Sequence, residues 1–145
     1  MAAKPLSPRE LRVWHAFLFM GEDVLGRVGR DIAQATGVSG PEFGVLSRLL
    51  GIGKGEMRQQ ELARVMGWDK SRLSHQLTRM QERALVERRP IDGNAVLVVL
   101  TELGREKLNA ARPIHAESVR RNLLSRLTPE QIDTLVRVSN LLGDD

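Results

Sequence analysis

The sequence predicts a mainly α-helical fold carrying one small β-hairpin. Three observations lead there: helix-start signals recurring at one spacing, two short amphipathic segments about three residues apart, and a change to β-branched residues around an Asp-Gly turn. A length of 145 residues suits one core rather than two, so residues 1–145 are read as a single domain.

Helix starts are legible because side-chain oxygens must satisfy the first backbone N–H groups of a helix. Ser7-Pro8-Arg9-Glu10 supplies an N-cap, a proline where no donor is needed and a glutamate that reaches back, with Leu6 and Leu11 as the flanking apolar pair. Ser39 to Glu42 and Thr128 to Gln131 repeat the arrangement. The first helix spans residues 8–36 and is apolar on two sides: Val13, Phe17, Met20, Val24, Val28 and Ile32 on one stripe, and Leu11, Trp14, Leu18 and Leu25 beside it. Gly21, Gly26 and Gly29 lower its helix propensity enough to allow a kink or break. Residues 41–50 form a short second helix, and 51–55 a loop.

Near the C-terminus, residues 101–127 read as one long helix with Leu108, Ala111, His115, Val119, Leu123 and Leu127 at steps of three and four, bent at Pro113. A last helix covers 129–142, with Ile132, Leu135, Val136 and Leu142 on one face. The terminal helices thus carry more apolar surface than a small central domain can cover. A two-fold homodimer built from both chain ends is the economical solution.

The central segment has another character. Residues 59–67 read as a helix with Leu62, Val65 and Met66 inward, ended by Gly67, and Asp69 caps the next helix with Trp68 and Leu73 as flanking apolar pair. A connection this short forces the helices to cross steeply, which is helix-turn-helix geometry. In the second helix Leu73, Leu77 and Met80 must face the core, so the outward face holds Ser71, Arg72, Ser74, His75, Thr78 and Arg79. These side chains can reach phosphates and major-groove base edges. After Leu85, two extended runs flank Pro90-Ile91-Asp92-Gly93-Asn94-Ala95 and predict a hairpin directly behind the helix, a wing entered by Arg88 and Arg89.

Charge is distributed accordingly. Lys70, Arg72, Arg79, Arg83, Arg88 and Arg89 against Glu82 and Glu87 give residues 70–89 a charge of +4, equal to the excess of the whole chain. The plain alternatives are a solvated helix face for the outward residues of 70–79, and strand-edge charges that discourage aggregation for Arg88 and Arg89.

From about residue 8 to 142 the chain resembles the MarR family. The resemblance rests on "QQELARVMGWDKSRLSHQLTRMQERALVERR", the Asp92 wing and "LTELG" at 100–104, together with the order of elements. It implies a winged helix-turn-helix at 41–100 between N- and C-terminal dimerisation helices at 8–36 and 101–142. It further implies a homodimer on a pseudo-palindromic DNA operator, usually a repressor and often released by a small ligand. Two positions depart from the family pattern: Asn94 stands where the wing tip commonly has arginine, and Arg58 where a serine or threonine cap is usual. The DNA-contacting set implied is Lys70, Ser71, Arg72, Ser74, His75, Thr78, Arg79, Arg88, Arg89 and Asn94.

Other chemistries find little support. The chain has no cysteine, which excludes disulfides, thiolate zinc and thiol redox sensing and suits a reducing cytoplasm. His15, His75 and His115 lack metal-ligand spacing, and His115 reads as a hydrogen-bonded interface residue, so no metal or cofactor is expected. No nucleophile elbow, phosphate loop or paired carboxylates point to an enzyme. No apolar run is long enough to span a membrane, and no secretion signal is apparent. Trp14, His15 and Phe17 would line an effector pocket or pack in a core. A winged-helix module that binds an acidic protein is the competing reading.

Overall fold

A computed structural model describes residues 1–143. The elements run α1 (Pro8–Thr36), α2 (Gly40–Gly51), β1 (Glu56–Arg58), α3 (Gln59–Met66), α4 (Lys70–Glu82), β2 (Val86–Pro90), β3 (Val96–Leu100), α5 (Glu102–Asn122), a 3-10 turn (Leu124–Arg126) and α6 (Pro129–Leu142). All three reciprocal caps form: Ser7 with Glu10, Ser39 with Glu42 and Thr128 with Gln131. They set the starts of α1, α2 and α6. Leu6 and Leu11, read as a flanking apolar pair, are both exposed.

Two helices differ from expectation. α1 is unbroken across Gly21, Gly26 and Gly29. Gly29 lies against the backbone of Gly40 at the start of α2. α5 runs through Pro113 but stops at Asn122, five residues before the expected end at 127. The Asn122 amide donates to the Ser118 carbonyl at 2.9 Å and to Asp31 at 3.4 Å, and the Leu123 N–H still reaches the Val119 carbonyl at 3.0 Å before the chain tightens into the 3-10 turn. Ser118 and Arg121 also donate to Asp31, the latter at 2.6 Å, and this polar cluster joins α5 to α1. The Ser118 hydroxyl, then the Arg121 charge, hold the Asp31 carboxyl below its usual range.

The hairpin is one strand larger than the sequence suggested. β1 pairs antiparallel with β3 through Met57 and Val98, giving the order β1-β3-β2. Behind the sheet, Gly104 packs where a Cβ would overlap the Leu85 carbonyl oxygen, which accounts for the glycine of "LTELG".

The core collects Leu46, Leu49, Leu62, Leu73, Leu77, Met80, Leu85, Val98 and Leu108 from α2 to α5 and the sheet. From α1 only Val28 and Ile32 are buried, and no residue of α6 is. Among the described residues no helix is long and apolar enough to cross a membrane.

Candidate nucleic-acid interface

α3 ends on Gly67, whose left-handed backbone (φ 66°) lets its N–H donate back to Ala63 and Arg64. Trp68 N–H also donates to Ala63 O, at 3.1 Å, and Asp69 accepts from Arg72 N–H at 2.8 Å. The chain therefore reverses within Gly67–Asp69. Arg58 precedes α3 without a side-chain cap, as its identity predicts.

α4 is anchored as the apolar spacing requires: Leu73, Leu77 and Met80 are each 0% exposed. Gln76 is buried beside them, a position the apolar pattern did not mark. Lys70, Ser71, Arg72, His75, Thr78 and Arg79 are exposed and Ser74 is half-buried, so the cationic and hydroxyl face does project outward. Two of its arginines are already held. The Arg72 guanidinium lies 4.1 Å over the Trp68 ring, a contact of roughly 0.5–1 kcal/mol at an exposed site. Arg79 donates to Gln76 at 2.8 Å.

Strand alternation separates the two wing arginines, which the sequence had treated alike. Arg88 pairs across β3 with buried Val98 and so shares the sheet face that meets α4, whereas Arg89 pairs with Leu97 on the other face. Arg88 accordingly reaches back over α4, donating to Thr78 Oγ1 at 2.9 Å and Gln81 Oε1 at 3.1 Å. Thr78 in turn donates to Ser74 O at 3.0 Å, so its only proton is committed. Arg89 stays on the surface, paired with Glu87 at 2.8 Å. Asn94 is exposed at the wing tip beside Gly93 (φ 71°) and borders a cleft of about 250 Å3 with Arg58, Gln59, Gln60 and Lys70.

Arg83 does not join the cationic face. It turns inward to the Glu42 carboxylate and the Gly37 carbonyl. Among the described residues no cluster of three potential metal ligands occurs. His115 stacks within the subunit on Phe43, centroids 4.5 Å apart, and its imidazole is pushed below its ordinary value by burial. Its neighbour within the subunit is thus an aromatic ring on α2.

Trp14, His15 and Phe17 pack in no subunit core; all three are exposed. Trp14 stacks on Phe17 and His15 lies against Phe19, each pair 6.1 Å apart. Only Phe17 borders the apolar hollow of about 460 Å3 formed with Leu18, Met20, Leu25, Leu123 and Leu135.

The same arrangement of elements occurs in known proteins. The MarR family model matches residues 36–95. AbsC, a MarR family transcriptional regulator from Streptomyces coelicolor, is 31% identical over 94% of this chain and 93% of its own, with a TM-score of 0.83. The chain belongs to the MarR family. A second MarR family regulator from S. coelicolor, Sco3205, solved in complex with DNA, is 26% identical, covering 97% of this chain and 89% of its own with a TM-score of 0.86. A mutant of MarR from E. coli, complexed with operator DNA, shares the fold at 19% identity and a TM-score of 0.82, over 97% of this chain and 100% of its own. Among curated proteins none matches. As a MarR family member the chain is a DNA-binding transcription regulator built on a winged helix, with α3 and α4 as its helix-turn-helix and β2–β3 as its wing.

Proposed function

We propose that this MarR family regulator reads a pseudo-palindromic operator as a homodimer, acts as a repressor in the cytoplasm and is released by a small-molecule effector. One observation carries the DNA-reading part. Leu73, Leu77 and Met80 fasten α4 to the body of the molecule while Arg72, His75 and Arg79 point away from it, with Arg88 laid along the same helix. In this reading α4 enters the major groove, where Arg72 and Arg79 contact base edges. Lys70, Ser71 and Ser74 flank them on phosphates, Thr78 serves by holding the Arg88 guanidinium along α4, and Arg88, Arg89 and Asn94 extend the contact along the wing. Asn94 adds hydrogen bonding but no charge at the wing tip, which leaves Arg88 and Arg89 as that element's cations.

The single domain of 1–145 then divides its work, with residues 41–100 reading DNA while 8–36 and 101–142 join two copies. Support for the dimer is the apolar surface of α1 and α6, where Phe17, Phe19, Met20, Leu25, Val136, Leu141 and Leu142 are all exposed. For an effector, Phe17 and the hollow it borders are the better candidate, since Trp14 and His15 do not line it.

Salt titration with a random duplex tests the reading. Phosphate neutralisation makes log K fall linearly with log[salt], at a slope of roughly 0.9 per phosphate contacted. A flat dependence would overturn the DNA reading and favour an acidic protein partner. Footprinting on selected duplexes should then show two half-sites roughly 34–36 Å apart.

A further inference from the structure

The guanidinium of Arg83 closes a corner shared by three helices. Gly37 ends α1 in the left-handed conformation, Ser39 and Glu42 open α2, and Arg83 caps the C-terminal end of α4. From there Arg83 donates to Glu42, 2.6 Å from Oε2, and to the Gly37 carbonyl at 3.0 Å. Glu42 is 3% exposed, and its Oε1 also accepts from the Ser39 N–H at 3.0 Å. Among the described residues, no other hydrogen bond joins α4 to α2 or to α1 and its cap.

The three reciprocal caps show that this ion pair is not needed for capping. Gln131 completes the box of α6 with a neutral amide, and Glu10 completes that of α1 with no cation partner among the described residues. Only at α2 is the capping carboxylate buried and matched by an arginine 41 residues away. A buried carboxylate robbed of its cation is strongly destabilising, a liability that capping alone does not require. Aliphatic packing by Leu73, Leu77 and Met80 fixes how deeply α4 sits, but its contacts are non-directional. The forked guanidinium is directional, and it points from α4 to the end of α1.

We infer that Arg83 and Glu42 are positioning residues that fix the direction of α4 relative to α1. In a dimer held by α1, they thereby set the separation at which the two copies present α4 to DNA. This rests on the homodimeric DNA-reading function proposed above, and the test has one arm that does not. Because the chain lacks cysteine, Gln34→Cys on α1 and His75→Cys on α4 give two unique spin-label sites. Diluting labelled with unlabelled chains makes each measured pair intramolecular. The parent should give one narrow distance distribution. Arg83→Met combined with Glu42→Gln, which leaves no unpaired buried charge and preserves the cap, should broaden or displace it. Arg83→Lys keeps a cation for Glu42 but lacks the fork that also reaches Gly37, and should do so to a lesser degree. Unchanged distributions in both variants would overturn the inference.

The second arm uses duplexes selected by the wild-type chain, with and without two base pairs added between the half-sites. The wild type should discriminate between them, and the double variant should lose at least ten-fold of that discrimination with its salt slope intact. If both affinities fall together and their ratio holds, Arg83 and Glu42 are merely structural and the inference is wrong. If the wild type selects no duplex, the proposed function fails, while the label distances still decide the positioning role.

Discussion

The central winged unit and the terminal helices use the same aliphatic and aromatic residue types but end in opposite situations. Leu62, Leu73, Leu77, Met80, Leu85 and Val98 are sealed among α2 to α5 and the sheet. Leu11, Val13, Trp14, Phe17, Phe19, Met20 and Leu25 on α1, and Val136, Val138, Leu141 and Leu142 on α6, stand exposed. Composition does not separate the two regions; the source of the covering surface does. A chain that buries the first set by itself and leaves the second set open completes its winged unit alone; in the homodimer proposed above, a second copy covers the rest.

The contrast breaks most visibly at Phe17. In a two-fold contact each residue is used twice, so Phe17→Glu places two unpaired carboxylates in the apolar surface. At about 2 kcal/mol for each, the dimer dissociation constant rises roughly a thousand-fold. Sedimentation should show a monomer at micromolar concentration, and operator affinity should collapse because the half-sites no longer act together. The circular dichroism of the central unit should survive. A variant that stays dimeric would place the interface elsewhere.

Substitutions on the outward face of the winged unit sharpen the contrast from the other side, since they should leave association untouched. Arg72→Ala should cost roughly 1–3 kcal/mol of specific binding if it reads a base. Arg88→Ala removes a cation and also releases Thr78 and Gln81, so its loss of about ten-fold should depend on sequence. Arg89→Ala, which frees only Glu87, should weaken all duplexes alike by a few-fold. Titrations of the operator and a random duplex measure both effects, and equal behaviour of Arg88 and Arg89 would remove the distinction drawn from the strand register.

What the sequence could reveal follows the range of the interaction responsible. The caps at Ser7, Ser39, Asp69 and Thr128 act over three residues, so the helix starts were readable, as were the inward Leu73, Leu77 and Met80. β1 was not: Glu56-Met57-Arg58 has no strand pattern of its own and is extended because β3 pairs with it. The gathering of Ser118, Arg121 and Asn122 on Asp31 and the inward turn of Arg83 on Glu42 join residues far apart in the chain; no local pattern announces either. The site followed the same division. Its outward face was legible from the apolar face behind it, whereas the holding contacts of Arg72 and Arg79 and the parting of Arg88 from Arg89 needed coordinates.

Ala84 gives the smallest effect and the most local check on the winged unit. It joins α4 to β2 in the left-handed region, φ 59°, where a Cβ costs roughly 1–2 kcal/mol. Its surroundings demand that conformation: Ala84 N–H donates to Gln81 O at 3.0 Å, and its carbonyl accepts from Thr101 Oγ1 at 2.6 Å. The side chain is exposed, so removing it forfeits little packing. Ala84→Gly relieves the left-handed cost and adds roughly 0.5–1 kcal/mol of unfolded-state entropy, leaving a net gain of about 0.5–1 kcal/mol. For a chain of this size that raises the melting temperature by about 2–4 °C, measured at fixed protein concentration because the proposed dimerisation would also contribute. In the Phe17→Glu background the same increment should persist, because the strain belongs to the winged unit; an increment that vanished with the dimer would show that the two regions are not energetically separate.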